Sequence, residues 1–197
     1  MTLILSSCDF SDDRPRAVIR EHLPKPAEEC RILFVPNERA NEETLKMDKY
    51  NRRLRQKGFS RGRIFVFDHT RPRDFEDLDF DVIYIGGGNT FLILQKLRDT
   101  GFDRVIAQRV RAGATYIGGS AGAHIASKSV SHLTRYDAPP EGFTDFSALG
   151  LWDGILVCHY GPEREAHCRE LLRSGERVIP LRNDQTLLVT DEGETVC

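Results

Sequence analysis

Residues 115–122 read Thr-Tyr-Ile-Gly-Gly-Ser-Ala-Gly, and this short stretch decides the fold that the chain predicts. The first three residues are typical of a buried strand, whereas Ala121 and the residues after it are compatible with a helix. Only a few residues separate the two, so Ser120 must lie on the turn itself. Gly118 and Gly122 provide the small neighbours that such a sharp strand-to-helix turn requires.

The same alternation of apolar strand and charged helix extends along most of the chain. The strands are almost continuously apolar, as required in a parallel sheet that is covered on both faces. They are predicted at 3–5, 32–35, 64–67, 82–85 and 115–117, with helices at 14–21, 41–57, 90–98, 102–111 and 121–128. This order predicts an α/β fold, a doubly wound and mostly parallel sheet flanked by helices in three layers.

The pattern loosens after residue 130. A polar loop with two adjacent prolines is expected at 134–143, a strand at 155–157 and a helix at 164–173. Segments 178–179 and 186–189 are predicted to be strands that pair antiparallel at one edge of the sheet. No repeat or linker divides the chain, so we expect a single domain over residues 1–197.

Composition narrows the classes of function. The 197 residues are 40% hydrophobic and 29% charged with a net charge of -2, which favours neither nucleic acid nor a membrane as partner. No apolar run is long enough to span a bilayer. The five cysteines are scattered without a CxxC pair, which argues against a disulfide framework and against a zinc site. Together with an N-terminus unlike a signal peptide, this favours a cytoplasmic protein.

The turn at Ser120 is suited to carry a nucleophile. Its backbone is expected to be strained, and the N-terminus of the following helix offers free backbone N–H groups to a developing oxyanion. The alternative is a glycine-rich turn that only packs tightly or binds a phosphate.

A second glycine turn follows the strand at 82–85. Gly86, Gly87 and Gly88 let the backbone approach a substrate closely and leave N–H groups unpaired. One of these amides, with that of Ala121, would form an oxyanion hole of two donors. Asn89 or Thr90 would cap the next helix. A phosphate loop is the weaker interpretation, because neither nucleotide-binding glycine pattern is present.

A base and an acid must accompany the serine. Among six histidines, His159 is the best placed, because it directly follows the apolar strand at 155–157 and should emerge at the same sheet edge; His132 is the other possibility. Asp137, in the loop between Ser120 and His159, is the first choice for the residue that orients the imidazole, and Asp184 is the second. Cys158 is expected to be a buried core thiol.

The two glycine motifs, residues 85–91 and 116–123, resemble those of the peptidase E (alpha-aspartyl dipeptidase) family, to which cyanophycinases are more distantly similar. This resemblance implies a fold like that of class I glutamine amidotransferases, with Ser120 as nucleophile and His159 as base. It also implies oxyanion donors at Gly88 and Ala121 and favours Asp137 as the acid, because Asn183 occupies the other position at which the family has an acidic residue.

The resemblance further implies a substrate site and an activity. Arg164 matches the arginine that binds the substrate's aspartyl carboxylate, and Asn89 is expected to contact substrate. We therefore expect a serine exopeptidase of monomeric or homodimeric form that hydrolyses short peptides without a metal or other cofactor, including dipeptides with N-terminal aspartate. The alternatives are another acyl or amide hydrolase of this fold, such as a cyanophycinase-like enzyme, and a non-catalytic binding domain that keeps the pocket.

Overall fold

The computed structural model describes all 197 residues and contains nine strands and eight helices. The strands are β1 (Leu3–Ser6), β2 (Ile32–Val35), β3 (Ile64–Val66), β4 (Val82–Ile85), β5 (Thr115–Gly119), β6 (Ile155–Val157), β7 (Val178–Pro180), β8 (Thr186–Thr190) and β9 (Gly193–Val196). The helices are α1 (Asp13–Glu21), α2 (Glu42–Lys46), α3 (Lys49–Arg55), α4 (Arg73–Glu76), α5 (Thr90–Asp99), α6 (Phe102–Arg111), α7 (Ala121–Ala126) and α8 (Pro162–Arg173).

Seven strands form one sheet in the order β3-β2-β4-β5-β1-β8-β9. The first five are parallel, and β8 and β9 extend the sheet antiparallel. This confirms the predicted α/β architecture. Alternate residues of one strand enter two separate cores, because successive side chains point to opposite faces. Leu3 and Leu5 lie in the larger apolar cluster and Ile4 in the smaller one, so helices cover both faces.

Two predicted elements differ from the structure. The helix expected at 41–57 is divided into α2 and α3, since Met47 has extended backbone angles. The halves pack differently: α2 buries none of its residues, whereas α3 buries Tyr50 and Leu54. The strand expected near 178–179 does not join the main sheet edge; β7 pairs parallel with β6 in a separate two-stranded sheet. Strand β8 does pair antiparallel at the edge, as expected.

The parallel strands end at one edge of the sheet, and this edge positions the site. Ser6, the last residue of β1, is in register with Gly119 of β5, and Ile85 of β4 is in register with Gly118. The segments that follow these three strands therefore emerge side by side, as is usual for sites in open parallel sheets. No helix of the structure has both the length and the apolar character needed to cross a membrane.

Candidate active site

Ser120 occupies the predicted strained turn between β5 and α7, with φ 49° and ψ -106°. Close contacts enforce the turn. A Cβ on Gly122 would overlap the carbonyl oxygen of Ile85, and a Cβ on Gly118 would lie 2.7 Å from the Gly122 carbonyl group. Glycine at both positions lets α7 begin against β4, and the Gly122 N–H then donates to Gly86 O at 3.2 Å. The two glycine turns are thus joined directly.

Strain is concentrated around one cavity. Asp9, Ser120 and His159 are the three non-glycine residues with positive φ, at 46°, 49° and 53°. All three line the same cavity of about 280 Å³ at the carboxyl edge of the sheet. Backbone conformations of this kind cost energy and cluster at functional sites. The pattern therefore marks this cavity independently of any motif.

The structure brings Ser120 and His159 together. The Ser120 hydroxyl donates to His159 Nε2 at 2.9 Å. The His159 backbone is held by Ser7, a residue that the sequence argument missed: its Oγ accepts from His159 N–H at 3.0 Å and donates to Leu181 O at 2.8 Å. Ser7 could have been found from the sequence, because it is a polar residue directly after a buried strand that ends at this edge of the sheet.

The residue in contact with the other ring nitrogen of His159 is Asn183. Its Oδ1 lies 2.8 Å from His159 Nδ1 and accepts the ring N–H, which leaves Nε2 free to accept the serine proton. The expectation for Asp137 is wrong in placement, because its Oδ2 accepts from the Thr90 N–H at the start of α5, at 2.9 Å. Asp184 forms a 2.8 Å ion pair with Arg14 instead.

The glycine turn after β4 faces Ser120. Gly86 and Gly87 line the cavity, and a Cβ on Gly87 would lie 3.6 Å from Ser120 Cβ. Gly88 has φ 153°, a conformation that favours glycine. Neither the Gly88 N–H nor the Ala121 N–H donates a backbone hydrogen bond within the protein. The Ala121 amide directly follows the serine and is available to a ligand there, whereas Gly88 itself is not among the residues that line the cavity.

Neither residue expected to bind substrate lines this cavity. The Asn89 side chain accepts from Leu92 N–H at 3.0 Å and donates to Ala138 O at 3.1 Å, which makes it the cap of α5. The Arg164 guanidinium donates to Cys158 O at 2.6 Å and lies 4.1 Å from the centre of the Tyr136 ring. The guanidinium that does line the cavity belongs to Arg53, on α3.

The other buried histidines are separate from the nucleophile. His124, His132 and His167 form a row with ring centres 5.6 and 5.7 Å apart. Burial lowers the pKa of His132 to about 4 and that of His124 well below its usual value, so both rings are neutral. His132, the alternative base, places its Nε2 3.0 Å from Leu156 O. Cys158 is fully buried, as expected, and burial raises its pKa to about 12.

The groups brought together in the cavity are of the kind that acyl transfer requires. A hydroxyl bonded to an oriented imidazole is an activated nucleophile, and free amides beside it can stabilise an oxyanion. The remaining walls combine aromatic rings with the Asp9 carboxylate and the Arg53 guanidinium, which can bind polar ends of a small substrate. No group of three or more His, Cys, Asp or Glu side chains is arranged to hold a metal ion.

Comparison with known proteins relates the chain to peptidases. An uncharacterized peptidase of Listeria innocua, Lin0382, is 36% identical over 118 residues, 57% of this chain and 56% of its own. Peptidase E of Salmonella arizonae is 40% identical over 101 residues, 47% of this chain and 43% of its own. The matched segments thus span about half the length of these curated relatives.

Solved structures share the whole fold. A candidate peptidase E protein of Listeria monocytogenes EGD-e superposes with a TM-score of 0.76 and 25% identity, covering 100% of this chain and 97% of its own. A peptidase from an acI-B1 Actinobacterium shows the same fold, with a TM-score of 0.71 at 17% identity and coverage of 100% and 86%. The model of peptidase family S51 matches residues 2–197. The resemblance to peptidase E is therefore confirmed, and the chain belongs to peptidase family S51, a family of serine peptidases.

Proposed function

We propose that this chain is a serine exopeptidase that hydrolyses short peptides through an acyl-enzyme. The observation that carries the proposal is the 2.9 Å contact between Ser120 Oγ and His159 Nε2 at a strained turn. His159 takes the serine proton as the hydroxyl attacks the scissile carbonyl carbon, and the Gly88 and Ala121 amides stabilise the oxyanion. His159 then protonates the leaving amine, and a water molecule activated by the same ring releases the acyl group.

Asn183 replaces a carboxylate as the third member of the catalytic group. An amide oxygen holds the tautomer and orientation of His159 but brings no full negative charge to the imidazolium formed during the reaction. A Cys-His-Asn group performs the same role in other hydrolases, so the arrangement is chemically competent.

The size and charges of the cavity support a short peptide as substrate. About 280 Å³ lies near the lower limit for small-molecule sites. Arg53 offers a guanidinium that can bind a carboxylate, either the C-terminus of a dipeptide or the side chain of an N-terminal aspartate. Dipeptides of the Asp-Xaa type therefore belong in the first substrate panel, together with neutral and basic dipeptides.

Labelling and hydrolysis together test this function. We expect a fluorophosphonate probe to label Ser120 and the wild-type protein to cleave at least one dipeptide of the panel. Ser120→Ala should abolish both, because it removes the nucleophilic oxygen and leaves the fold intact. Hydrolysis at the wild-type rate by Ser120→Ala would refute the mechanism. No label at Ser120 in the folded wild-type protein would favour the non-catalytic binding domain.

A further inference from the structure

Asp9 is a buried acid that the proposed reaction does not use. It lies on a short turn after β1, is 6% exposed, and lines the cavity that contains Ser120. The Tyr84 hydroxyl donates to its Oδ2 at 2.8 Å, and Ser11 Oγ lies 3.5 Å from its Oδ1. No basic side chain lies within 4.0 Å of the Asp9 carboxylate. Burial lowers the pKa of Lys57 to about 8 although the nearby Asp9 charge raises it, so Lys57 is a cation close to Asp9 that forms no ion pair with it. A buried carboxylate without a directly paired cation is costly, so the place of Asp9 in the cavity needs a reason.

The carboxylate is held within one residue of the nucleophile. A Cβ on Gly119 would overlap Asp9 Oδ2, which places that oxygen within about 4 Å of the Gly119 Cα atom. The next Cα atom, that of Ser120, is about 3.8 Å further along the chain. Glycine at 119 therefore provides the space that the carboxylate occupies. Asp9 and Ser120 line the same cavity, so a cation bound to Asp9 can belong to the same small molecule whose carbonyl Ser120 attacks.

The neighbouring cations do not form ion pairs with Asp9. Lys57 Nζ lies over the Phe10 ring, 4.5 Å from its centre, and Arg16 Nε donates to Phe10 O. Arg53 lines the same cavity but forms no ion pair with Asp9. Tyr84 also lines the cavity, but its ring is buried against Phe10 and Phe34, so its hydroxyl, which donates to Asp9, is its polar group at this site. The Asp9 carboxylate brings a negative charge to this part of the cavity, which suits a small cation rather than an anion.

We infer that Asp9 binds the α-ammonium group of the substrate's N-terminal residue and so limits cleavage to the first peptide bond. This inference rests on the proposed function. The α-ammonium nitrogen is only two bonds from the scissile carbonyl carbon, which suits a carboxylate held against Gly119, the residue before the nucleophile. The cation of a lysine or arginine side chain lies several bonds further away. The chemical class of substrate is therefore a peptide with a free amino terminus.

The first arm of the test compares free and N-acetylated forms of the dipeptide that the panel identifies. Wild-type protein should cleave the free form at least 10-fold more efficiently. Asp9→Asn should lower kcat/KM for the free form by about 10- to 100-fold, as expected for loss of a charged hydrogen bond, and leave the acetylated form unchanged. Asparagine tolerates positive φ and can still accept from Tyr84, so the variant should fold.

Asp12→Asn is the matched control. It removes the same charge from the neighbouring helix cap, where asparagine serves equally well, and it should change neither substrate. Equal cleavage of free and acetylated peptide by wild type, or an equal loss for both in Asp9→Asn, would overturn the inference. Ser120 would still be labelled in that case, so the proposed function would stand.

The second arm measures binding without chemistry. Calorimetry on Ser120→Ala should detect Ala-Ala but at least 10-fold weaker binding of N-acetyl-Ala-Ala, and the added Asp9→Asn change should remove this preference. Ser120→Ala that binds both dipeptides equally, or neither, contradicts the inference. This arm gives its answer even if no hydrolysis is observed, because it does not depend on the nucleophile.

Discussion

Replacing Asn183 by aspartate should strengthen the catalytic base. The wild-type contact is a 2.8 Å hydrogen bond from the His159 ring to a neutral amide oxygen. Neutral hydrogen bonds contribute about 0.5–1.5 kcal/mol and those to charged groups about 1.5–3 kcal/mol. The carboxylate should therefore stabilise the imidazolium by about 1–1.5 kcal/mol more than the amide does, which corresponds to about one pH unit.

The pH profile of kcat/KM measures this effect. Because a carboxylate favours the protonated ring, the acidic limb in Asn183→Asp should move to higher pH by about one unit. The plateau above that limb should rise, up to about 10-fold, because the imidazolium of the transition state is better stabilised. Asn183→Ala should lower the plateau about 10- to 100-fold, since the ring loses the acceptor that fixes its orientation.

The variant Asp137→Asn distinguishes Asn183 from Asp137, the residue that the sequence favoured, as the partner of the His159 ring. If Asp137 were the acid that orients His159, Asp137→Asn would lower kcat/KM strongly. The structure predicts a small effect, because asparagine can still accept from the Thr90 N–H. An unmoved acidic limb in Asn183→Asp combined with a large loss in Asp137→Asn would refute the assignment of Asn183.

Two further changes test the stability of the fold. Gly122→Ala should destabilise the protein by about 3 kcal/mol and lower Tm by roughly 10 °C, since its Cβ would overlap Ile85 O, whereas Gly62→Ala, with open space around it, should change Tm little. Burial lowers the pKa of His132 to about 4, so its contribution to stability is complete above pH 6.5 and is lost as the pH falls towards 4. In urea unfolding of the wild-type protein, His132 should lower the free energy of unfolding by about 2 kcal/mol between pH 7 and pH 5. If His132→Gln loses as much stability over this range as the wild type does, His132 is not the cause.

The sequence predicts the central sheet and the nucleophile well because both depend on local patterns. Apolar runs and glycine spacing are enough to locate β5, the turn at Ser120 and the end of β6 with His159. The third member of the catalytic group is different, because it depends on how β7 and β8 return to the sheet edge. A carboxylate stabilises an imidazolium better than an amide does, and this chemical preference favoured Asp137. The position of Asn183 beside His159 depends on the path of the chain between β7 and β8, which no local pattern predicts.

Arg164 and Asp9 show the same limit. A guanidinium near the base is a sensible ligand for a carboxylate, but no sequence pattern reveals that Cys158 O and the Tyr136 ring already occupy it. Asp9 is one acid among thirty acidic residues in the chain. Its role depends on the missing side chain of Gly119, more than a hundred residues away, and such a pairing becomes visible only in three dimensions.

The hydroxyl of Ser7 joins segments that are far apart in the chain, 152 residues from His159 and 174 from Leu181. Through these two hydrogen bonds, the first strand of the large sheet is fastened to the ends of both strands of the small one. The base is therefore in place only when the two sheets are docked. Catalytic turnover would report on that docking during refolding, and it should return last, after the spectroscopic signals of the individual strands and helices.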